Sequence, residues 1–203
     1  MLRKPTILLF VKAPTPGEVK TRLAQAIGNH AAADIFRDLV NAQLRRLPTD
    51  FALEIHYTPC EAEGSMQAWL GDTEVFFPQS SGDLGDRLNA ATKSAFLRGA
   101  SSVICIGGDC PGLKKAQFLE TEEALEQGND LCFGPTEDGG YYLIGLSRPI
   151  PEVFQNIPWS TPHTLAASID QAESIGLKVH LLEALYDIDE EADLIRGRQE
   201  GLL

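Results

Sequence analysis

Short apolar runs alternate with amphipathic stretches along almost the whole chain, and no other feature restricts its folding as strongly. Strands are expected at Thr6–Val11, Leu53–Tyr57, Glu74–Phe77, Val103–Gly107, Leu131–Phe133, Tyr141–Leu146 and Leu177–Leu182. Helices are expected over His30–Leu47, where Ile35, Leu39, Val40, Leu44 and Leu47 recur at helical spacing behind Asn29, and over Asp83–Arg98, Ala116–Gln127, Pro162–Ser174 and Glu190–Arg198. The pattern predicts an α/β fold, a three-layer sandwich with a mostly parallel central sheet, in which ligands gather at the carboxyl ends of the strands. At 203 residues and 43% hydrophobic, the chain fits one compact domain over residues 1–203. The segment from Arg148 to Pro162, with four prolines, reads as an excursion over the sheet rather than a second domain.

Charge narrows the partners. The formal net charge is -12, yet residues 1–50 hold eight Lys/Arg against four Asp/Glu, so a basic lip sits on an acidic body. Such a distribution excludes nucleic acid, which demands a broad basic face, and suits a small anionic ligand. Cys60, Cys105, Cys110 and Cys132 form no CxxC pair and read as reduced structural thiols. Arg3 and Lys4 precede an apolar run too short for a signal peptide, and no stretch reaches membrane-spanning length, so the expected location is the cytoplasm.

The first apolar run feeds directly into Lys12-Ala-Pro-Thr-Pro-Gly17-Glu-Val-Lys20-Thr-Arg22-Leu. A Pro/Gly loop of this kind, at the start of a helix, can aim backbone N–H groups and side-chain cations at one phosphate or diphosphate. Gly17 and the N–H groups after it would touch the diphosphate while Lys12, Lys20 and Arg22 neutralise it. The competing reading is a turn with solvated cations. Cations in a helix's first turn oppose the macrodipole, which favours an anion there. The loop is neither a GxGxxG fingerprint nor a Walker loop, which would need a glycine just before its lysine.

Other strand ends carry carboxylates. Asp109 follows Gly107-Gly108 and precedes Cys110-Pro111; it is a turn or cap aspartate, or a ligand projecting into the crevice. Asp187 and Asp189 arrive at another strand end, and convergent carboxylates suit Mg²⁺ or Mn²⁺, with Asp187 the second ligand and Asp189 a candidate cap for the helix at Glu190. The segment Gln79-Ser-Ser-Gly82-Asp-Leu-Gly85-Asp-Arg87 offers amide, hydroxyl and backbone groups for a base or ribose, or forms a capped loop with Arg87 paired to Asp83. Glu137-Asp138-Gly139-Gly140-Tyr141-Tyr142 suits a sugar or acceptor, its carboxylates accepting hydroxyl protons; equally, it is a hairpin turn whose aromatics fill the core. Trp159 covers an acceptor or anchors the proline-rich linker, and His163 reads as a helix-entry residue.

The Lys-x-Pro-x-Pro-Gly-x-Val-Lys-Thr-Arg-Leu, Gly-Gly-Asp-Cys-Pro and Asp-Gly-Gly-Tyr-Tyr motifs, with the late Asp-Ile-Asp, resemble the GT-A nucleotide-diphospho-sugar transferase superfamily from about Ile7 to Leu194. Within it they are similar to a bacterial glycosyltransferase-like group (DUF2064) related to the guanylyltransferase of coenzyme F420 synthesis. The resemblance implies that Asp109 binds metal, with Asp187 a candidate second ligand, and that the Gln79–Gly85 loop faces the nucleotide base; Gly108, beside Asp109, lets the backbone approach the nucleotide closely. Prolines stand where sugar nucleotidyltransferases of this fold carry a glycine-rich loop, and Asp-Cys-Pro where its glycosyltransferases carry Asp-x-Asp.

The expected activity is metal-dependent transfer of a glycosyl group from a nucleotide-sugar to a small acceptor, with Asp109 and Asp138 catalytic. One alternative is a nucleotidylyltransferase that condenses an NTP with a phosphorylated metabolite. The other is a non-catalytic nucleotide-sugar binding module.

Overall fold

A computed structural model of the chain describes residues 4–71 and 74–203. Arg3, part of the leader-like N-terminus considered above, lies outside them. Seven strands form one sheet: β1 (Thr6–Lys12), β2 (Ala52–Thr58), β3 (Val75–Pro78), β4 (Val103–Ile106), β5 (Leu131–Pro135), β6 (Tyr141–Leu146) and β7 (Val179–Leu181). Their order is β3-β2-β1-β4-β6-β5-β7. Only β6 runs antiparallel to its neighbours, so the sheet is mostly parallel, as expected.

Burial on both faces explains why β1 and β4 read as continuous apolar runs. Ile7, Leu9 and Val11 point to one face, against Phe36, Val40, Met66 and Phe118. These come from α2 (Asn29–Leu44), α3 (Glu63–Leu70) and α5 (Lys115–Glu126). Leu8 points to the other face and joins Leu88, Ala91, Ala95 and Ala172. These belong to α4 (Leu84–Leu97) and α6 (Thr164–Ser174). The layers are thus helix, sheet, helix. A third cluster, built on Leu23, Leu39, Tyr186, Ile188 and Leu194, docks α1 (Thr21–Ile27) and α7 (Glu191–Gln199) beside the first face.

Several boundaries differ from the sequence reading. The helix expected over His30–Leu47 runs Asn29–Leu44, and the last strand shortens to Val179–Leu181. The sequence reading placed no element between Tyr57 and Glu74, where α3 forms; Gly64 and Ser65 dilute its helical signal, and only Met66 is buried. The proline-rich excursion contains a single 3-10 turn, Pro151–Phe154, which buries Val153 and Phe154. Cys105, Cys110 and Cys132 are buried free thiols and Cys60 is exposed.

The sheet reverses its order between β1 and β4. From β1 the chain steps outward to β2 and β3, then returns to β4 on the opposite side of β1. Loops leaving the carboxyl ends of β1 and β4 therefore diverge and open a crevice, the usual ligand position in an open α/β sheet.

One charged group interrupts the core. Glu54 on β2 is buried and accepts bonds from Arg98 Nε at 3.0 Å and Nη2 at 2.5 Å, with His56 Nε2 at 3.1 Å. The His56 ring stacks between Phe10 and Phe77, at centroid distances of 5.2 and 5.4 Å. Burial works to raise the Glu54 pKa, but the bonds from His56 and Arg98 prevail and hold it below the ordinary glutamate range. Its stabilising contribution is therefore present above that range and lost as pH falls through the lowered value. Glu54→Gln should lower stability at pH 7 by about 1–2 kcal/mol, Arg98 being partly solvated. The deficit should shrink on acidification below the ordinary glutamate range, as read by denaturant titration at a series of pH values; a deficit independent of pH would contradict this account.

Candidate nucleotide and acceptor site

The loop after β1 is stitched in place by its own backbone and by its neighbours. Ala13 N donates to Thr58 O at 2.8 Å, Glu18 N to Thr15 O at 3.0 Å, and Arg37 Nη2 from α2 to Pro14 O at 3.2 Å. Gly17 has φ 88°, a value that a side chain resists, which explains a glycine at this turn. Lys12 Nζ donates to Glu18 O at 2.9 Å and spans the loop.

Lys20 is the unusual residue. It takes a left-handed backbone, φ 47° and ψ 46°, at the cap position of α1, a conformation that costs a non-glycine residue about 1–2 kcal/mol. That turn sends its side chain into the protein, where only 4% of it is exposed. Nζ donates at 2.8 Å to Asp109 Oδ2 and at 2.8 Å to Asp189 Oδ1. Burial works to lower the Lys20 pKa, but the two carboxylates outweigh it and hold the ammonium above its ordinary value. The sequence reading set Lys20 in the first helical turn, facing a phosphate; instead it precedes that turn and bridges two carboxylates. Arg22, largely exposed, lies 3.7 Å from Asp189.

Asp109 reaches this point on a tightly held loop. Gln43 Nε2 from α2 donates to Gly107 O at 2.7 Å, and Arg46 Nη1 to Pro111 O at 2.6 Å. A Cβ at Gly108 would stand 2.7 Å from Val40 Cγ2, so glycine lets α2 approach this loop. Ile188 N donates to Asp109 O at 3.0 Å, which draws the Asp187–Asp189 segment alongside. Ile188 is fully buried and its two aspartate neighbours turn the other way. Asp189, weighed from sequence as a helix cap, pairs with Lys20 while Asp193 accepts from the Asp189 and Glu190 N–H groups at 3.0 and 2.8 Å. Asp187 buries Oδ1 with no hydrogen-bond partner. Burial first, then the neighbouring Asp109, push its carboxyl well above the ordinary aspartate range, with Lys20 opposing.

Two cavities meet at this cluster. One, about 420 Å³, lies in the β1/β4 crevice and is lined by Lys12, Lys20, Arg22, Gly107, Gly108 and Asp109 among others. The second, about 220 Å³, is lined by Arg22, Thr136, Glu137, Asp138, Tyr186, Asp187, Asp189, Glu190 and Asp193. Arg22 and Asp189 line both. Asp138 Oδ1 accepts from Thr136 Oγ1 at 2.6 Å and from Gly140 N at 3.1 Å. Gly139, at φ 89°, presses against the Pro162 carbonyl with no room for a Cβ. Glu137 is held by Arg196 at 2.8 and 3.0 Å.

Other candidates fall elsewhere. Gln79 donates to His56 O at 2.8 Å and, with Arg87, lines a third cavity of about 320 Å³ beside His56 and Arg98. Phe10 lines the crevice and stacks on His56, forming the wall between the two. Gly82 O accepts from Arg87 Nε, so Arg87 closes the loop rather than pairing with Asp83, which caps α4. Tyr141 and Trp159 pack on each other and on the core of the opposite face, 6.3 Å apart, lining neither cavity of the crevice. Glu190 and Asp193 were not singled out from sequence; they read as ordinary residues of a helix start. The role of Asp189 was legible in principle, since residues two apart in an extended segment share a side.

Whether the donors suit a divalent cation can be tested on the residues themselves. Among the described residues no three His, Cys, Asp or Glu are assembled as a ready metal site. Mg²⁺, however, is held by one or two carboxylates with water and phosphate oxygens completing its shell. Asp109 and Asp187, with the unpartnered buried Oδ1 of the latter, fit that demand.

The fold recurs in solved structures. A Desulfovibrio desulfuricans G20 protein described as a "putative nucleotide-diphospho-sugar transferase" is 34% identical, covers 93% of this chain and 84% of its own, and superposes with a TM-score of 0.88. CMP:2-keto-3-deoxy-manno-octonic acid synthetase complexed with CTP is 13% identical over 98% of both chains, TM-score 0.62. Rv0371C of Mycobacterium tuberculosis H37Rv, in complex with manganese, is 15% identical over 95% of this chain and 97% of its own, TM-score 0.57. The last two likenesses establish the fold alone. No curated protein matches the chain. The model of the family described as "Uncharacterized protein conserved in bacteria (DUF2064)" matches residues 42–161, more than half of the sequence, and the chain belongs to that family.

Proposed function

We propose that the chain is a metal-dependent transferase that passes a glycosyl group from a nucleotide-sugar to a small acceptor. The observation that carries this reading is the change of lining across Asp109 and Asp189: a crevice that sets Lys12, Lys20 and Arg22 beside Glu18 and the glycine loop on one side, and a cavity of six acidic side chains with Arg22 on the other. A nucleotide-sugar has the matching division, an anionic diphosphate joined to a neutral ring. The name of the Desulfovibrio relative agrees with it.

In this reading the diphosphate lies along the Lys12–Arg22 loop, whose cations and N–H groups neutralise it. Asp109 and Asp187 would hold a divalent cation, Mg²⁺ or Mn²⁺, which would supply positive charge to the leaving diphosphate. Lys20 is the charge partner that keeps Asp109 and Asp189 placed. Such fixed charges, aimed where charge develops in the transition state, are the largest contribution a site of this kind makes. Asp138, its Oδ1 fixed by Thr136 and Gly140, takes the proton of the acceptor hydroxyl. A bond then forms from that oxygen to the anomeric carbon, the bond from that carbon to the diphosphate breaks, and the nucleoside diphosphate departs.

The CTP-bound synthetase of the same fold favours a second reading, nucleotidyl transfer from a triphosphate with release of pyrophosphate. Product analysis separates them: glycosyl transfer leaves a nucleoside diphosphate, nucleotidyl transfer leaves pyrophosphate. Asp109→Asn should lower turnover at least a hundredfold with either Mg²⁺ or Mn²⁺, and normal turnover in this variant would sink the assignment. Lys20→Met removes the cation between Asp109 and Asp189. It should lower the melting temperature at pH 7, with part of the loss restored by millimolar Mg²⁺; an unchanged melting temperature would show that the clasp carries no energetic weight.

A further inference from the structure

The second cavity holds a preference of its own. Six carboxylates line it, from Glu137, Asp138, Asp187, Asp189, Glu190 and Asp193, against one arginine, Arg22. The nearby cations are already engaged. Lys20 is shared between Asp109 and Asp189. Arg196 grips Glu137 with two bonds and lies over the Tyr186 ring at 3.8 Å. Arg22 faces Asp189 and opens equally onto the crevice. A divalent cation takes one or two carboxylates, so Asp138 and Glu190 remain beyond what it needs. The buried Oδ1 of Asp187, on the wall of this cavity, is an acceptor still waiting for a hydrogen-bond donor or a cation.

From this geometry we infer that the acceptor is a small polyol without phosphate or carboxylate, neutral or amine-bearing; the inference rests on the transferase reading above. Hydroxyl and ammonium groups donate to carboxylates, whereas an anionic group would meet six acidic side chains against Arg22, which already faces Asp189. At about 220 Å³ the cavity is smaller than the roughly 300–1,000 Å³ usual for drug-sized ligands, which limits the acceptor to one small ring or a short chain. The inference excludes the phosphorylated metabolite that most naturally accompanies nucleotidyl transfer.

Three probes with one skeleton test it: glucosamine, glucose and glucose 6-phosphate. Each is titrated by calorimetry into full-length protein saturated with Mg²⁺ and with whichever nucleoside diphosphate gives the largest thermal shift. Glucosamine and glucose should bind at least tenfold more tightly than glucose 6-phosphate. Asp138→Asn combined with Glu190→Gln should narrow that gap to less than threefold. Glucose 6-phosphate binding as tightly as glucose overturns the inference, and so does a gap unmoved by the double variant. A second measurement needs no bound sugar: in a Cys60→Ser background, Glu190→Cys is labelled with cationic and anionic methanethiosulfonates. Its cation-to-anion rate ratio should exceed that of free cysteine at least tenfold, and an equal ratio overturns the inference. Absence of any nucleotide-dependent shift would bring down the transferase reading itself. A preserved shift with a preference for glucose 6-phosphate would overturn this inference alone.

Discussion

The site depends on one ammonium group. Lys20 Nζ, almost fully buried, lies 2.8 Å from both Asp109 and Asp189 and so ties together three segments remote in sequence: the loop after β1, the loop after β4 and the entry to α7. Two costs oppose this arrangement, desolvation of a charge, worth several kcal/mol, and a left-handed backbone, worth about 1–2 kcal/mol. Both are tolerated because, without Lys20, Asp109, Asp187 and Asp189 would crowd together with only the exposed Arg22 to balance them. Breaking a buried pair from one side costs about 3–5 kcal/mol, a figure that the partial exposure of both aspartates reduces here. The clasp thus converts a repulsive cluster into a fixed one and decides where the two cavities join.

From that joint the rest follows in two directions. Towards β1 the surface is a backbone-rich cradle in which Lys12, Lys20 and Arg22 stand beside Glu18, Asp109 and Asp189; towards β5 and β6 it is a wall of carboxylates that includes Glu137 and Asp138. The sheet supplies both because its order reverses between β1 and β4 and because the single antiparallel strand, β6, brings the β5–β6 turn to the same end as the loops after β1 and β4.

Much of this was legible before folding. Continuous apolar runs at β1 and β4 imply strands covered on both faces, and Gly107-Gly108-Asp109 between a strand and Cys110-Pro111 implies an aspartate on a tightly approached loop. What sequence could not give was partnership. A lysine beside a Pro/Gly loop looks like a phosphate ligand because nothing local reveals a left-handed turn that points it at residues 89 and 169 positions away. Tyr141 and Trp159 suit a sugar platform or a core equally, and which face of the sheet they join depends on the path of the linker around Pro151–Phe154. The helix Glu63–Leu70 escaped because it is short: Met66, Trp69 and Leu70 make one helical i, i+3, i+4 set on the core, but Gly64 and Ser65 precede it and no second turn repeats the pattern.

The crevice beside the Lys12–Arg22 loop and the adjoining carboxylates should together bind a nucleotide with a divalent cation. A thermal-shift panel tests it most directly: nucleoside diphosphates, triphosphates and nucleotide-sugars, each with and without Mg²⁺ or Mn²⁺, because a ligand that binds only the native state raises its melting temperature. A metal-dependent rise is expected with one nucleotide-sugar and its diphosphate. A panel in which no nucleotide gives a metal-dependent shift would contradict it.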